Sequence, residues 1–339
     1  MTAQGAWPLA PPLPGELQVE VTAACNLRCP MCLVRYRPPL DRVRHSLPLE
    51  RFRALVEANP DVRRITLQGL GEPLLTPNLL DMVELAASRG IEVGFNTNAT
   101  LLTRERAERL VRAGLAWLHV SFDGATKATY EAIRDGARFE RVVANVAGLV
   151  EVKRRLGGDR PWVRLVFVAM RRNVAELPGV VRIAAETGVN EVWVQHLSHS
   201  FDDTDGSGDG AYVEIRRYTA AEALWDAAPA PFAEAREVAE ALGVALRLPP
   251  IGDDPPPAPR RPGEPGCDWP WRSGYVTHDG TLQPCCMVMG ADRAPLGHLD
   301  ATSFAEAWAG EPYRRFREAL LGDEPPEVCR GCSMYHHRF

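Results

Sequence analysis

Six short β-branched or aromatic runs, at 16–22, 63–69, 92–98, 116–122, 162–170 and 191–197, recur along the first two hundred residues with amphipathic helical stretches between them. That alternation leaves few folds open. Strands separated by helix-length crossovers pair in parallel, and six such units predict an α/β chain curled into a partial (β/α)6 TIM-type barrel. Helical stretches such as 77–90 and 103–114 each end at a glycine suited to a C-cap. In barrels of this kind the chemistry sits on the loops after the strand C-termini, so the residues leaving each run are the candidate site.

Directly after the first run, Cys25, Cys29 and Cys32 stand at spacings of four and three. Three thiols suit neither a closed four-ligand zinc site nor an even-numbered disulfide framework. A cuboidal [4Fe–4S] cluster held by three cysteines leaves its fourth iron open to an outside ligand. The chain has eight cysteines, no run of 18 apolar residues and a proline-broken N-terminus without a basic segment. These features predict a cytoplasmic protein whose cysteines serve metal or redox chemistry rather than disulfides. A formal net charge of −5 without blocks of Lys or Arg argues against nucleic acid or a membrane surface as a partner.

Beyond the sixth run, the polar, glycine-rich stretch 198–212 reads as a surface loop or lid, followed by a helical stretch around 219–243. Residues 248–266 pack prolines and glycines into a linker. The expected organisation is an N-terminal extension (1–15), a barrel (16–200), a loop, helix and linker region (201–266) and a small cysteine-rich domain (267–339).

The CxxxCxxC spacing of Cys25, Cys29 and Cys32 resembles the signature of the radical S-adenosylmethionine enzymes. The resemblance implies that the triplet's cluster chelates S-adenosylmethionine and cleaves it to a 5′-deoxyadenosyl radical that takes a hydrogen atom from substrate. It also implies an external one-electron reductant such as flavodoxin or ferredoxin. "GLGEPLL" (69–75) resembles the family's Gly-Gly-Glu-Pro motif, with Leu70 in place of one glycine. Gly69, Gly71, Glu72 and Pro73 are therefore implied to bind the methionine end of the cofactor. Asn96 and Asn98 beside Thr97, Ser121 with Asp123, and His196 close the third, fourth and sixth runs. By the resemblance these polar ends meet cofactor or substrate; as plain polypeptide they form Asx-turns and N-caps. Met31 occupies the loop position where many family members carry an aromatic residue near the adenine.

The C-terminal cysteines resemble the family's SPASM auxiliary-cluster domain in its short "twitch" form, which implies Cys267, Cys285, Cys329 and Cys332 as ligands of one closed auxiliary [4Fe–4S] cluster. A zinc ribbon is the alternative. Cys286 is left over, either as a buried bystander or as a donor that returns a hydrogen atom to a substrate radical. The expected reaction is oxidation or epimerisation of a small molecule such as an aminoglycoside, sugar or nucleoside. Peptide modification by thioether or carbon–carbon crosslinking is the alternative within the enzyme class, and an iron–sulfur electron carrier or metal-binding module lies outside it.

Overall fold

The six expected runs form β1 (Glu16–Val19), β2 (Arg64–Leu67), β3 (Glu92–Thr97), β4 (Trp117–Ser121), β5 (Trp162–Val168) and β6 (Glu191–Gln195). They are parallel neighbours in chain order. These elements come from a computed structural model that describes residues 7–37, 45–201, 203–204, 210–224, 230–249, 263–290 and 292–337. Each strand ends before its run does, by one residue in β3 and three in β1. The trimmed residues at the barrel mouth include the polar Glu20, Thr22, Gln68, Asn98 and His196.

Residues of one parity, among them Leu17, Val19, Ile65, Leu67, Phe95, Val120, Leu165 and Val194, form the core against the crossover helices. Those helices are α1 (Leu49–Ala58), α2 (Leu79–Ser88), α3 (Arg104–Arg112), α4 (Lys127–Ile133), α5 (Phe139–Arg155) and α6 (Leu177–Thr187). The other parity carries Gln18, Thr66, Asn96, His119, Ser121, Arg164 and Gln195 into the barrel interior. Parallel strands buried on both faces read as continuous apolar runs. The alternation here marks a polar lumen.

The lumen floor is closed by aromatic and cationic groups. The Arg64 guanidinium lies 3.8 Å from the Trp117 ring centroid, and those of Arg164 and Arg247 lie 4.9 and 4.6 Å from that of Trp193. A β-carbon at Gly94 would fall 2.3 Å from the Trp117 indole, so only glycine lets that ring lie across β3. Burial, reinforced by Arg164 and Arg64, lowers the His119 pKa to about 3 and keeps this floor imidazole neutral. An open cleft bordered by Arg64, Lys153, Arg160 and Trp162 lies at this end, away from the cysteines.

The sheet extends beyond the six expected strands. After α7 (Gly210–Glu222) and α8 (Ala230–Leu242), β7 (Ala245–Arg247) pairs parallel with β6. After α9 (Trp269–Arg272), β8 (Ser273–Val276) pairs parallel with β1, and β9 (Thr281–Gln283) and β10 (Gly297–His298) continue antiparallel. The cysteine-rich segment therefore joins the barrel sheet directly. The stretch expected as one helix over 219–243 is two helices, with 225–229 outside the described residues, as are 250–262 of the expected linker. In 198–212, His199 and Phe201 are buried rather than loop-exposed, because the segment's polar groups bond to the C-terminal cysteine loop. Residues 202 and 205–209 of that stretch lie outside the described residues. Among the described residues no helix is long and apolar enough to cross a membrane.

The N-terminal extension packs on α10 (Phe304–Ala309) and α11 (Glu311–Leu321) through Arg317. The fully buried Arg317 donates to the carbonyls of Leu9, Pro270 and Trp308 at 2.8–2.9 Å, and its guanidinium stands 4.2 Å from the Trp308 ring centroid. Arg317→Ala strips three buried carbonyls of their donor and is expected to cost about 3 kcal/mol, read as a lower denaturation midpoint in urea.

Candidate functional site

The cysteine triplet sits in a loop with almost no regular structure, so its shape is imposed by bonds from elsewhere. Thr22 bridges to Ser46, the Glu72 amide donates to Ala24 O at 2.9 Å, and the Arg28 amide donates to Asp135 O at 2.9 Å. A β-carbon at Gly71 would lie 2.4 Å from the carbonyl oxygens of Thr22 and Ala24. The glycine is what lets the two loops touch.

Glu72, buried beneath this contact, uses both carboxylate oxygens inside the protein. Oε1 accepts from the Leu74 amide at 3.0 Å and the Thr97 hydroxyl at 2.6 Å, and Oε2 accepts from the Asn98 amide at 2.7 Å. Burial raises its pKa, and these three donors oppose the rise. Glu72 thus ties the "GEP" turn to the end of β3 rather than facing a ligand. Pro73 is buried next to it.

Asn98 carries the network on to the cysteines. Its Nδ2 donates to Asn26 Oδ1 at 3.0 Å and lies 4.0 Å from Cys25 Sγ. Asn96 Oδ1 is shielded from solvent and has no donor among the described residues, which leaves an open acceptor on the lumen side of β3. Ser121 is half-buried on the lumen parity of β4. Asp123, by contrast, is occupied: Oδ1 accepts from the Val168 amide at 2.7 Å and Oδ2 pairs with Arg134. Burial raises the Asp123 pKa, and the guanidinium opposes it. Met31 packs partly buried beside Ile133 and Met170. His196 is buried one residue past β6, on the parity of the core residues Val192 and Val194.

Two groups escaped the sequence reading. Arg134, at the end of α4, places Nη1 3.9 Å from Cys29 Sγ, and its Nε–H has no acceptor among the described residues. An arginine closing a helix reads in sequence as an ordinary dipole complement. Glu20 accepts from the Leu70 amide at 3.0 Å and the Tyr275 hydroxyl at 3.3 Å, and its other oxygen lies 2.8 Å from His278 Nδ1. Its only sequence signal is a carboxylate at the apolar end of β1. Gly69 makes room for it, since a β-carbon there would overlap the Glu20 side chain at 2.1 Å.

At the C-terminal site, Cys267, Cys285, Cys329 and Cys332 line one small void walled by Trp269, Pro270, Phe316, Leu320 and Met334. Cys286 does not line it; its thiol is buried near the Gln18 side chain of β1. Burial pushes the Cys25 thiol up to about 12 and the Cys32 and Cys267 thiols up to about 11, and raises Cys29, Cys285, Cys329 and Cys332 as well. Thiolates in such places require the charge of a metal beside them. Among the described residues no three Cys, His, Asp or Glu groups meet at the spacing of a single metal ion. Soft thiol donors, the Asn98 and Arg134 donors near the triplet sulfurs and apolar walls at the second site suit iron–sulfur clusters.

The profile of the radical SAM superfamily matches residues 19–161, and that of the SPASM iron–sulfur cluster-binding domain matches residues 267–333. The chain belongs to the radical SAM superfamily. Its cofactors are those of that family, [4Fe–4S] clusters and S-adenosylmethionine.

PqqA peptide cyclase of Gluconobacter oxydans is 28% identical over 95% of this radical SAM chain and 84% of its own length. AdoMet-dependent heme synthase of Methanosarcina barkeri is 27% identical over 92% of this chain and 89% of its own. A tungsten-containing aldehyde ferredoxin oxidoreductase cofactor-modifying protein of Pyrococcus furiosus is 29% identical over 53% of this chain, which spans about half (51%) of that relative's length. Streptococcus suis SuiB bound to precursor peptide SuiA shares the fold with a TM-score of 0.66 at 14% identity, over 96% of this chain and 70% of that one.

Two outcomes follow from this radical SAM site. Anaerobically reconstituted protein is expected to hold about eight irons, as two cuboidal clusters require. Alanine at Cys25, Cys29 and Cys32 together removes about half and abolishes 5′-deoxyadenosine formation, whereas alanine at Cys329 and Cys332 removes the other half. Glu72→Gln turns an NH2 toward donors that a carboxylate accepted, and is expected to cost roughly 1–3 kcal/mol. The loss would be read by thermal denaturation, with weaker S-adenosylmethionine binding in equilibrium dialysis.

Proposed function

We propose that this radical SAM enzyme modifies a peptide, joining two of its side chains through a thioether or carbon–carbon bond. The observation that carries the reading is the likeness to PqqA peptide cyclase, which runs through the barrel and the C-terminal cysteines alike. When bound, a [4Fe–4S] cluster with an open iron supplies the electron that cleaves S-adenosylmethionine to a hydrogen-abstracting radical, and a closed second cluster supplies an acceptor for the electron that crosslinking releases.

The chain's own residues supply holding and charge. Cys25, Cys29 and Cys32 provide the three thiolates of the first site, and Cys267, Cys285, Cys329 and Cys332 the four of the second. Arg134, held by Asp123 with Nε–H open, offers a buried cation for the carboxylate of the methionine moiety. The Asn96 carbonyl offers the lumen an acceptor, and Glu72 and Glu20 fix the turn whose backbone meets the methionine amino group. Gln18, Asn96, Ser121 and Gln195 line the approach with uncharged polar groups, which suit peptide amides.

A second reading, epimerisation or oxidation of a small molecule, is favoured by Cys286, whose thiol lies outside the four-cysteine void and against Gln18 of the lumen face. Turnover in deuterated water with peptides encoded beside the gene separates the readings. Crosslinking gives a product lighter by two hydrogens, without solvent deuterium at carbon, and it survives Cys286→Ala. A product that keeps its mass in ordinary water, gains one deuteron in deuterated water and disappears with Cys286→Ala overturns the proposal in favour of epimerisation. An unmodified peptide, with turnover only on a hydroxylated small molecule, overturns it in favour of oxidation.

A further inference from the structure

Residues 198–200, just past β6, lie along the Cys329–Cys332 loop. The Ser200 amide donates to Gly331 O at 2.8 Å, His199 pairs with Cys332 as an isolated bridge, and the Ser333 hydroxyl donates to Ser198 O at 2.9 Å. His199 Nδ1 accepts from the Phe201 amide at 2.8 Å while Nε2 stands 2.9 Å from Val328 O. Those two bonds fix the neutral tautomer with the proton on Nε2, so the imidazole contributes no charge.

Charge enters this strap through Asp203, whose side chain is 6% exposed and pairs with the equally buried Arg293. Arg293 Nη1 also donates to Val288 O at 2.7 Å, in the turn that follows Cys285 and Cys286. The guanidinium rests 5.3 and 5.4 Å from the Phe201 and Tyr212 ring centroids, which exclude water from it. Arg293 thus joins the turn bearing one pair of cysteines to the strap holding the other. Asp203 Oδ1 has no hydrogen-bond donor among the described residues and lies 3.9 Å from His199 Nδ1.

We infer that Arg293 and Asp203 are positioning residues that set the reduction potential of the auxiliary centre, Arg293 raising it and Asp203 lowering it. The inference rests on the four-cysteine assignment above. A buried charge acts on a cluster through a low dielectric, and adding an electron is favoured by a nearby cation and opposed by a nearby anion. Arg293 reaches the Cys285–Cys286 turn through Val288 O, and Asp203 belongs to the segment bonded to the Cys329–Cys332 loop. A pair that served only to hold the fold would not impose opposite signs on its two members.

The test is an anaerobic redox titration followed by electron paramagnetic resonance, on full-length protein carrying Cys25, Cys29 and Cys32→Ala so that only the auxiliary centre reports. Arg293→Gln is expected to move the midpoint to lower potential, Asp203→Asn to higher potential, and Arg293→Lys to leave it near the parent value. Shifts of the same sign in the first two, or no shift in either at unchanged iron content, overturn the inference. If Arg293→Gln fails to hold iron, Asp203→Asn decides: an unshifted or lowered midpoint overturns it and a raised one supports it. A parent protein with zinc and no cluster signal overturns the ligand assignment itself, and the inference with it.

Discussion

A loop without secondary structure has to present three buried sulfurs to one metal centre, and much of the barrel mouth is built to hold that loop still. Burial keeps the Cys25 and Cys32 thiols protonated up to about 12 and about 11, so the loop gains nothing by ordering itself around bare thiolates. Its shape comes from non-local bonds: Ala24 O to the "GEP" turn, Arg28 to the end of α4, and Asn26 to Asn98. Glu72 is the hub, since one carboxylate binds the turn to itself, to Thr97 at the end of β3 and to Asn98 just past it. Carboxylates that accept several amide and hydroxyl protons are strong anchors in a low dielectric, which explains an acidic side chain where no cation neutralises it directly.

How far the sequence told this in advance depends on the range of the interactions involved. The six barrel strands were legible because alternation and crossover length are local properties. β7 was not, because three residues carry no period, and β8 was not, because its pairing with β1 spans more than 250 positions. The cysteine spacings were legible as chemistry and the polar strand ends as candidates. Their division of labour was hidden: Asn96 keeps an open acceptor, whereas Asp123 and Glu72 are consumed by internal partners. Arg134 was hidden for the converse reason, since nothing in "EAIRDG" says that its guanidinium turns back to a cysteine some hundred residues earlier.

The stretch after β6 shows composition misleading in a definite way. Polar, glycine-rich segments belong on surfaces when their backbone has only water to bond. Here Ser198, His199 and Ser200 find partners in the Cys329–Cys332 loop, and Gly331 is required because a β-carbon would meet Ser200 Oγ at 2.5 Å. Two segments that each look like loops satisfy one another, and the cysteine void closes between the second of them and the apolar faces of α9 and α11.

β1 relates the two cysteine sites to one another. It pairs with β2 on one side and β8 on the other, so the turn after β2 and the auxiliary cysteines after β9 take their registers from the same four residues. Gln18 donates to Gln68 O at 3.2 Å on the β2 side and lies near Cys286 on the other. Glu20, two residues on and on the same face, accepts from the Leu70 amide and from Tyr275 while meeting His278. Successive side chains of a strand point to opposite faces, so a one-residue slip of β1 would turn Gln18 and Glu20 out of the lumen and undo both sets of contacts together. The separation of the two centres is therefore a property of strand register within the sheet rather than of a flexible linker.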